Sequence, residues 1–412
     1  MPPAILLLLI VIELESALDR AIRLVPRLGC DQLRLNAAAG FFLCEDVISP
    51  TDLPVFDNSA MDGFAVRAAD VSAASEKVPI ELRLLGVAPA GTIFESEVAA
   101  GCCVKVMTGS LLPAGADAVV MKEDMRSTGD SSIQILDRVR PWEHVRLRGE
   151  DVKRGEVIAQ IGERITAGTL ALLSSAGVAQ VTVARRPRVA IVATGSELTE
   201  PGNPIRPGHI YESNRIMLAE LIQKCGGQPT VFPLVEDNPG AIREHLEAAF
   251  NTCDAVITTG GVSVGEFDFV KEVFAQMGGS IDLWKVNIKP GKPFVLGSLG
   301  GKPLFGLPGN PVSAFVTFLL LVRPALLAMQ GATHLALPSH PGILAAPMVN
   351  RGNRRHFMRV HVDASGSVRP VGLQASHAVG PLRRANALVD VAADSSLTAG
   401  SPVSVLRWDL EF

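Results

Sequence analysis

The sequence predicts a multidomain α/β and β chain in which a central doubly wound parallel α/β domain is joined to β-rich domains. Three observations predict it. From Arg188 onward, strand-like apolar runs alternate with helical periodicity four times, the pattern of a parallel sheet covered by helices on both faces. Between residues 78 and 123, short alternating segments are interrupted at Pro89-Ala90-Gly91, Ala99-Ala100-Gly101 and Pro113-Ala114-Gly115, the spacing of a small β-rich unit. At 412 residues the chain exceeds what one hydrophobic core supports, and about two to four domains are expected.

The N-terminal run Ala4 to Ile12 is apolar but too short to span a bilayer. Uncharged Met1-Pro2-Pro3 precedes it and Glu13, Glu15 and Asp19 follow, which fits a buried strand, a helix start or a misassigned first codon better than an export signal. Leu14, Ala17, Leu18, Ala21 and Ile22 recur at helical spacing, predicting an amphipathic helix over 13–24. Residues 31–50 are a strand and helix mixture closed by Pro50. Asp52 to Ala65 carries two prolines and a glycine, yet Phe56, Met61 and Phe64 are too apolar for a free linker, so an ordered loop entering a strand is expected. Asp62-Gly63 is also the spelling of a plain turn. Met107-Thr108-Gly109-Ser110 places a hydroxyl beside a glycine at a strand end.

The charged run Val145 to Lys153 leads out of the β-rich unit, and Ile165 to Ala176 returns to helical periodicity. Residues 1–50 and 150–185 therefore read as one linking domain, interrupted by an inserted β-rich domain over 51–149. An α/β domain follows over 186–330 and a C-terminal β domain over 331–412. Within the α/β domain the expected strands are Arg188 to Ala193, Pro229 to Val235 and Asp254 to Thr259, with helices after Asn214 and over 240–250. Ligands sit beyond the carboxyl ends of such strands, which places Gly195 to Glu197, Asp237 and the loop Gly260 to Asp268 on one rim. Lys285, Lys289-Pro290-Gly291-Lys292-Pro293 and Gly306 to Ser313 come next.

Glu197, Asp237 and Asp268 crowd that rim, and clustered carboxylates repel unless a cation intervenes. Magnesium, which takes one or two carboxylates together with substrate phosphates, is the natural candidate. Lys285, Lys289, Lys292 and the glycine loop would then face a phosphate or another oxyanion. For any one of these residues, solvated surface charge is the plain alternative. The formal charge of −4 is spread over both signs, which excludes duplex nucleic-acid and basic membrane-surface binding. The six cysteines form no CxxC pair and show no even spacing, so neither a zinc site nor a disulfide framework is expected, Cys102 and Cys103 read as buried thiols, and a cytoplasmic setting fits. GxGxxG and GxxxxGK[ST] are both missing from the sequence, disfavouring dinucleotide and P-loop sites. Gly261-Val262-Ser263-Val264-Gly265 spells a nucleophile elbow, but no triad histidine accompanies it.

Six strings then coincide with one family. Asp57 to Ala65, Met107-Thr108-Gly109 with Pro113 to Val119, Gly149-Glu150-Asp151, Gly260 to Asp268, Lys289 to Pro293 and Gly306 to Ser313 resemble, in order, the molybdopterin molybdenumtransferase (MoeA) family, related to the gephyrin E domain. The resemblance covers residue 13 to the C-terminus. It implies a four-domain elongated homodimer with a MogA-like molybdopterin-binding α/β domain and a C-terminal β-barrel-like domain. The implied activity is magnesium-dependent insertion of molybdate into adenylylated molybdopterin with release of AMP. The implied acidic residues are Asp62, Asp151, Glu197, Asp237 and Asp268, with Thr108 beside them, and Glu197, Asp237 and Asp268 as the metal set. Lys285, Lys289, Lys292, Pro308 and Pro311 would line the cleft with Gly260, Gly261, Ser263 and Gly265, and Ser313, Arg354 and Ser376 would form a molybdate pocket. Asp62 and Thr108 would reach the other subunit's rim, making the site composite. Implied partners are a molybdopterin adenylyltransferase and molybdoenzyme-side acceptors.

The chain departs from the family at Ser196, where an aspartate is usual, and at Phe64, where tyrosine is common; Gln374 to His377 and Leu382 to Asn386 match only loosely. Two other readings stand beside this one. A pterin adenylyltransferase would lack the inserted domain and the Asp62 motif, and a noncatalytic scaffold or carrier would lose the acidic cluster; this sequence keeps both features.

Overall fold

The computed structural model describes residues 11–129, 131–261 and 269–410. Its centre is a seven-stranded sheet built from β1 (Val11–Ile12), β2 (Arg188–Ala193), β3 (Gln228–Val231), β4 (Ala255–Thr259), β5 (Ser280–Val286), β6 (Pro293–Leu299) and β7 (Lys302–Leu307), in the order β1-β5-β6-β7-β4-β2-β3. All strands run parallel except β6, which is antiparallel to both neighbours. The sheet is thus doubly wound but mixed, because β5, β6 and β7 are joined by short connections that only antiparallel neighbours permit. The second expected strand is shorter than the sequence suggests, ending at Val231 rather than Val235.

Alternation along β2 explains the two covered faces. Val189 and Ile191 pack with α1 (Leu14–Leu24), α2 (Asn214–Lys224) and α5 (Pro311–Met329), whereas Ala190 and Val192 pack with α3 (Pro239–Thr252) and α4 (Phe269–Gln276). The helix α5 is apolar enough and long enough to cross a membrane, but it is 94% buried within the fold. Asn238 starts α3 by accepting from the N–H groups of Gly240 and Ala241, and Pro239 supplies a preset φ at the first helical position.

Helix α1 forms as its spacing predicts, but Leu14, Ala17 and Ala21 are buried in the α/β core. That moves the first helix out of the linking domain to which its place in the sequence assigned it. The linking unit pairs Cys30–Arg34 with Gln180–Ala184 and Val47–Ile48 with Val157–Ala159 around a helix over Ala167–Ser175. Cys30 and Cys44 form a disulfide there, correcting the expectation of unpaired cysteines. Both lie on segments that hydrogen-bond to Gln180–Ala184, a tertiary proximity that no cysteine spacing reveals. Cys102 and Cys103 are buried free thiols, and burial pushes the Cys103 thiol up to about 12.

The β-rich unit is a six-stranded sheet in the order Ala118–Met121, Gly63–Val66, Cys102–Val106, Ile80–Ala88, Ser132–Ile135, Met125–Ser127. In the C-terminal region, Ser339–Leu344, Arg355–Val362, Ser367–Pro370, Ala387–Val391 and Pro402–Arg407 close into a barrel, and Ile288–Lys289 pairs parallel with Arg355-His356 on its side. That last pairing welds barrel to α/β domain.

Candidate functional site

Strand order reverses between β2 and β4: β2 leads to β3 on one side, while β4 lies on the other. Such a switch point opens a crevice at the carboxyl ends, and a cleft of about 640 Å³ lies there, lined by Thr194, Glu197, Asn214, Gly260, Gly261 and Pro308 among others. Gly260 and Gly261 have φ of +85° and +63°, and an added Cβ would meet the Thr194 carbonyl oxygen at 2.3 Å from Gly260 and the Thr194 hydroxyl at 2.8 Å from Gly261. Only glycine lets the β4 loop lie this close to the β2 loop.

The rear wall is fixed by a buried ion pair. Glu212 (3% exposed) accepts from the backbone N–H groups of Asn214 and Arg215 and from Arg215 Nε at 3.0 Å; Arg215 (5% exposed) also donates to Glu200 and to the Phe232 carbonyl. Asn214 Nδ2 donates to Thr259 Oγ1 at 2.7 Å and to the Gly309 carbonyl at 2.8 Å, tying α2 to the ends of β4 and β7. Its Oδ1 and the Thr194 hydroxyl are buried with no hydrogen-bond partner among the described residues. On the outer lip, Ser196 and Asp237 exchange hydrogen bonds of 3.1 Å, backbone N–H to carboxylate one way and backbone N–H to hydroxyl the other.

A second cleft of about 850 Å³ adjoins the first, and both are lined by Pro293 and Asn310. Lys289, Lys292, Arg351, Arg354, Ser313 and Ser376 line it, and no carboxylate does among the described residues. Gly291, at φ +107°, sits against Thr317, whose Cγ2 would lie 2.4 Å from an added Cβ, so the turn between the two lysines also requires glycine. Arg354 donates to the Ile288 carbonyl at 2.8 Å. The loop after Pro370 lines both clefts and is held from beneath by Arg359, 1% exposed, which donates to the carbonyls of Leu373, Ala375 and Ala378. The Ser376 carbonyl in turn accepts from the Val312 N–H in the first turn of α5.

The structure therefore gathers Glu197, Gly260, Gly261, Pro308 and Pro311 in the strand-end cleft and Lys289, Lys292, Ser313, Arg354 and Ser376 in the basic one. Asp237 adjoins the first through Ser196. Ser263, Gly265 and Asp268 lie outside the described residues. Lys285 stands on β5 opposite Pro293 and lines neither cleft. Nor do Asp62, Thr108 or Asp151. Asp62 Oδ1 accepts from the Thr108 N–H at 2.8 Å and hydroxyl at 2.9 Å, which holds its carboxyl below the usual carboxylate range, helped by the charges of Lys122 and Lys105. Gly63 beside it opens a strand rather than a plain turn: an added Cβ would meet the Val120 carbonyl oxygen at 2.0 Å. Asp151 is exposed, its N–H donating to Leu53. Glu197 and Asp237 give one rim two carboxylates, a donor set that fits magnesium's preference for few protein ligands. Among the described residues no larger metal-ligating group occurs.

Sequence reasoning did not single out Thr194, Asn214, Glu212, Arg359 or His356. Glu212 and Asn214 stand in Ile210-Tyr211-Glu212-Ser213-Asn214, which enters a helix, and Arg359 and His356 belong to the basic run Arg351 to Arg359, whose spelling alone is that of a solvated edge.

Three family models match the chain in order: the MoeA N-terminal region (domain I and II) over 12–177, the probable molybdopterin binding domain over 190–328, and the MoeA C-terminal region (domain IV) over 341–408. A molybdopterin molybdenumtransferase of Haemophilus influenzae is 36% identical over 381 residues, covering 91% of this chain and 93% of its own. Molybdopterin molybdenumtransferase 2 of Mycobacterium tuberculosis is 37% identical over 383 residues, covering 91% and 94%. The crystal structure of a molybdopterin biosynthesis moeA protein from Pyrococcus horikoshii OT3 superposes with a TM-score of 0.84 at 33% identity, covering 97% of this chain and all of that one. With a switch-point cleft, an adjoining basic cleft and similarity along nearly its whole length, the chain belongs to the molybdopterin molybdenumtransferase (MoeA) family, transferases of molybdenum cofactor biosynthesis.

Proposed function

We propose that this protein inserts molybdate into adenylylated molybdopterin in a magnesium-dependent step that releases AMP. One observation carries the reading: two adjoining clefts share Pro293 and Asn310, and among the described residues one is lined by carboxylates without lysine or arginine while the other has four lysines and arginines and no carboxylate. A substrate bearing a metal-bridged anhydride at one end and accepting a free oxyanion at the other matches that division. Tetrahedral molybdate has acceptor oxygens only, and Lys289, Lys292 and Arg354 offer it donors with charge.

Glu197 and Asp237 would hold magnesium, with Asp268 as the third candidate. When bound, the ion would neutralise the anhydride phosphates. The chain's own residues do the remaining work. Thr194 and Asn214, whose oxygens have no partner among the described residues, support ligand hydrogen bonding in the strand-end cleft. Lys289, Lys292 and Arg354 hold the oxyanion in place and stabilise charge developing beside it. Asp62 and Thr108, remote from both clefts in their own chain, are supplied by the partner of a homodimer. The reaction belongs to the cytosol, upstream of molybdoenzyme acceptors and downstream of an adenylyltransferase.

The test is AMP release from adenylylated molybdopterin with magnesium and molybdate. AMP is expected only with protein and molybdate together; release no faster than a protein-free control sinks the proposal. Mixing Asp62→Ala with Asp268→Ala chains should restore part of the activity if the site is composite. No recovery, with subunit exchange demonstrated, would count against the dimeric arrangement.

A further inference from the structure

Strand Arg355–Val362 presents alternate residues to one face, and Arg354, His356 and Met358 all line the basic cleft. His356 is 4% exposed, and its Nδ1 is buried with no hydrogen-bond partner among the described residues. Lys289 is its register partner on the neighbouring strand, Arg359 lies on its own, and Arg354 immediately precedes that strand. Burial first, then the charges of Lys289, Arg359 and Arg354, pushes the imidazole down to about 4, so it is neutral at physiological pH.

A buried ring nitrogen without a partner costs stability, least as a bare acceptor, which leaves the neutral ring's proton on Nε2; such a cost persists where the ring serves a ligand. A neutral imidazole carries one N–H donor and one acceptor. In a cleft already holding four cationic side chains, it can add a donor to an oxyanion without adding another charge that the empty pocket would have to tolerate. We propose that His356 is a binding residue of the basic cleft, donating an imidazole N–H to an oxygen of a tetrahedral oxyanion held by Lys289, Lys292 and Arg354. This rests on the oxyanion reading of that cleft. It explains why a histidine whose Nδ1 has no partner among the described residues stands where an apolar side chain would pack.

The experiment is calorimetric titration of the full-length protein with molybdate, for wild type, His356→Phe, His356→Leu and His356→Gln, each with its thermal unfolding curve. His356→Phe and His356→Leu should weaken binding by about tenfold, and His356→Gln, which keeps an N–H donor, should recover most of that loss. The apolar variants should unfold at the same or a higher temperature than wild type, because they remove an unpartnered buried group. Unchanged affinity in both apolar variants overturns the inference, as does a lowered unfolding temperature, which would mark a purely structural role. Should the wild type itself fail to bind molybdate, the oxyanion reading of the cleft falls and takes this inference with it; wild-type binding with unaffected variants removes the inference alone.

Discussion

The two clefts are neighbours built by opposite means. The strand-end cleft is assembled from loops that directly follow β2, β4 and β7, and its rigidity comes from glycines in close backbone contact and from the Glu212–Arg215 pair. The basic cleft exists only because a barrel strand pairs with Ile288–Lys289 and Arg359 pins the loop carrying Ser376. One is local backbone geometry; the other is a junction between domains. The difference teaches that the strand-end cleft is fixed when the α/β domain folds, whereas the basic cleft depends on the barrel docking correctly.

The largest expected effect falls on the strand-end cleft. Glu212→Ala leaves Arg215 buried beside the lost charge and should destabilise the fold by about 3 kcal/mol or more, read from urea unfolding; a change below about 1 kcal/mol would mean the pair does not frame the cleft. Gly260→Ala comes next. With φ at +85° and the Thr194 carbonyl in the way, it should cost about 2 kcal/mol in the same measurement. An unaffected protein would show that the two loops can separate freely.

The smallest effect lies in the basic cleft and depends on pH. His356 takes its proton at about 4 in the fold, against an ordinary value of 6.5. Between those values the unfolded chain binds more protons than the folded one, so this residue makes stability fall as pH drops from 6.5 toward 4. The stability advantage of His356→Phe over wild type should therefore grow through that window and level off below it. A difference independent of pH would show that the imidazole is not held neutral by its burial and by the charges of Lys289, Arg359 and Arg354.

The same contrast explains what could be read from the sequence. Gly260, Gly261 and Glu197 were legible because each stands in a loop after a predicted strand, and the switch-point rule needs only the order of elements; Pro308 came from the family resemblance. Lys289 and Lys292 were legible as charge in a turn, while Arg354 and Ser376 came from family resemblance alone. His356 was not legible: Arg351 to Arg359 reads as a solvated basic edge until the barrel closes and buries alternate residues. The Cys30–Cys44 bond and the docking of α1 on the α/β core were hidden for the same reason. Both are tertiary proximities without a local pattern.

The division of labour between the clefts is tested most directly by the concentration dependence of AMP release in Lys289→Ala against wild type. The half-saturating molybdate concentration should rise by about tenfold or more, and that of adenylylated molybdopterin by a clearly smaller factor. If both rise by the same factor, or only the pterin concentration responds, the oxyanion is not held in the basic cleft and the account is wrong.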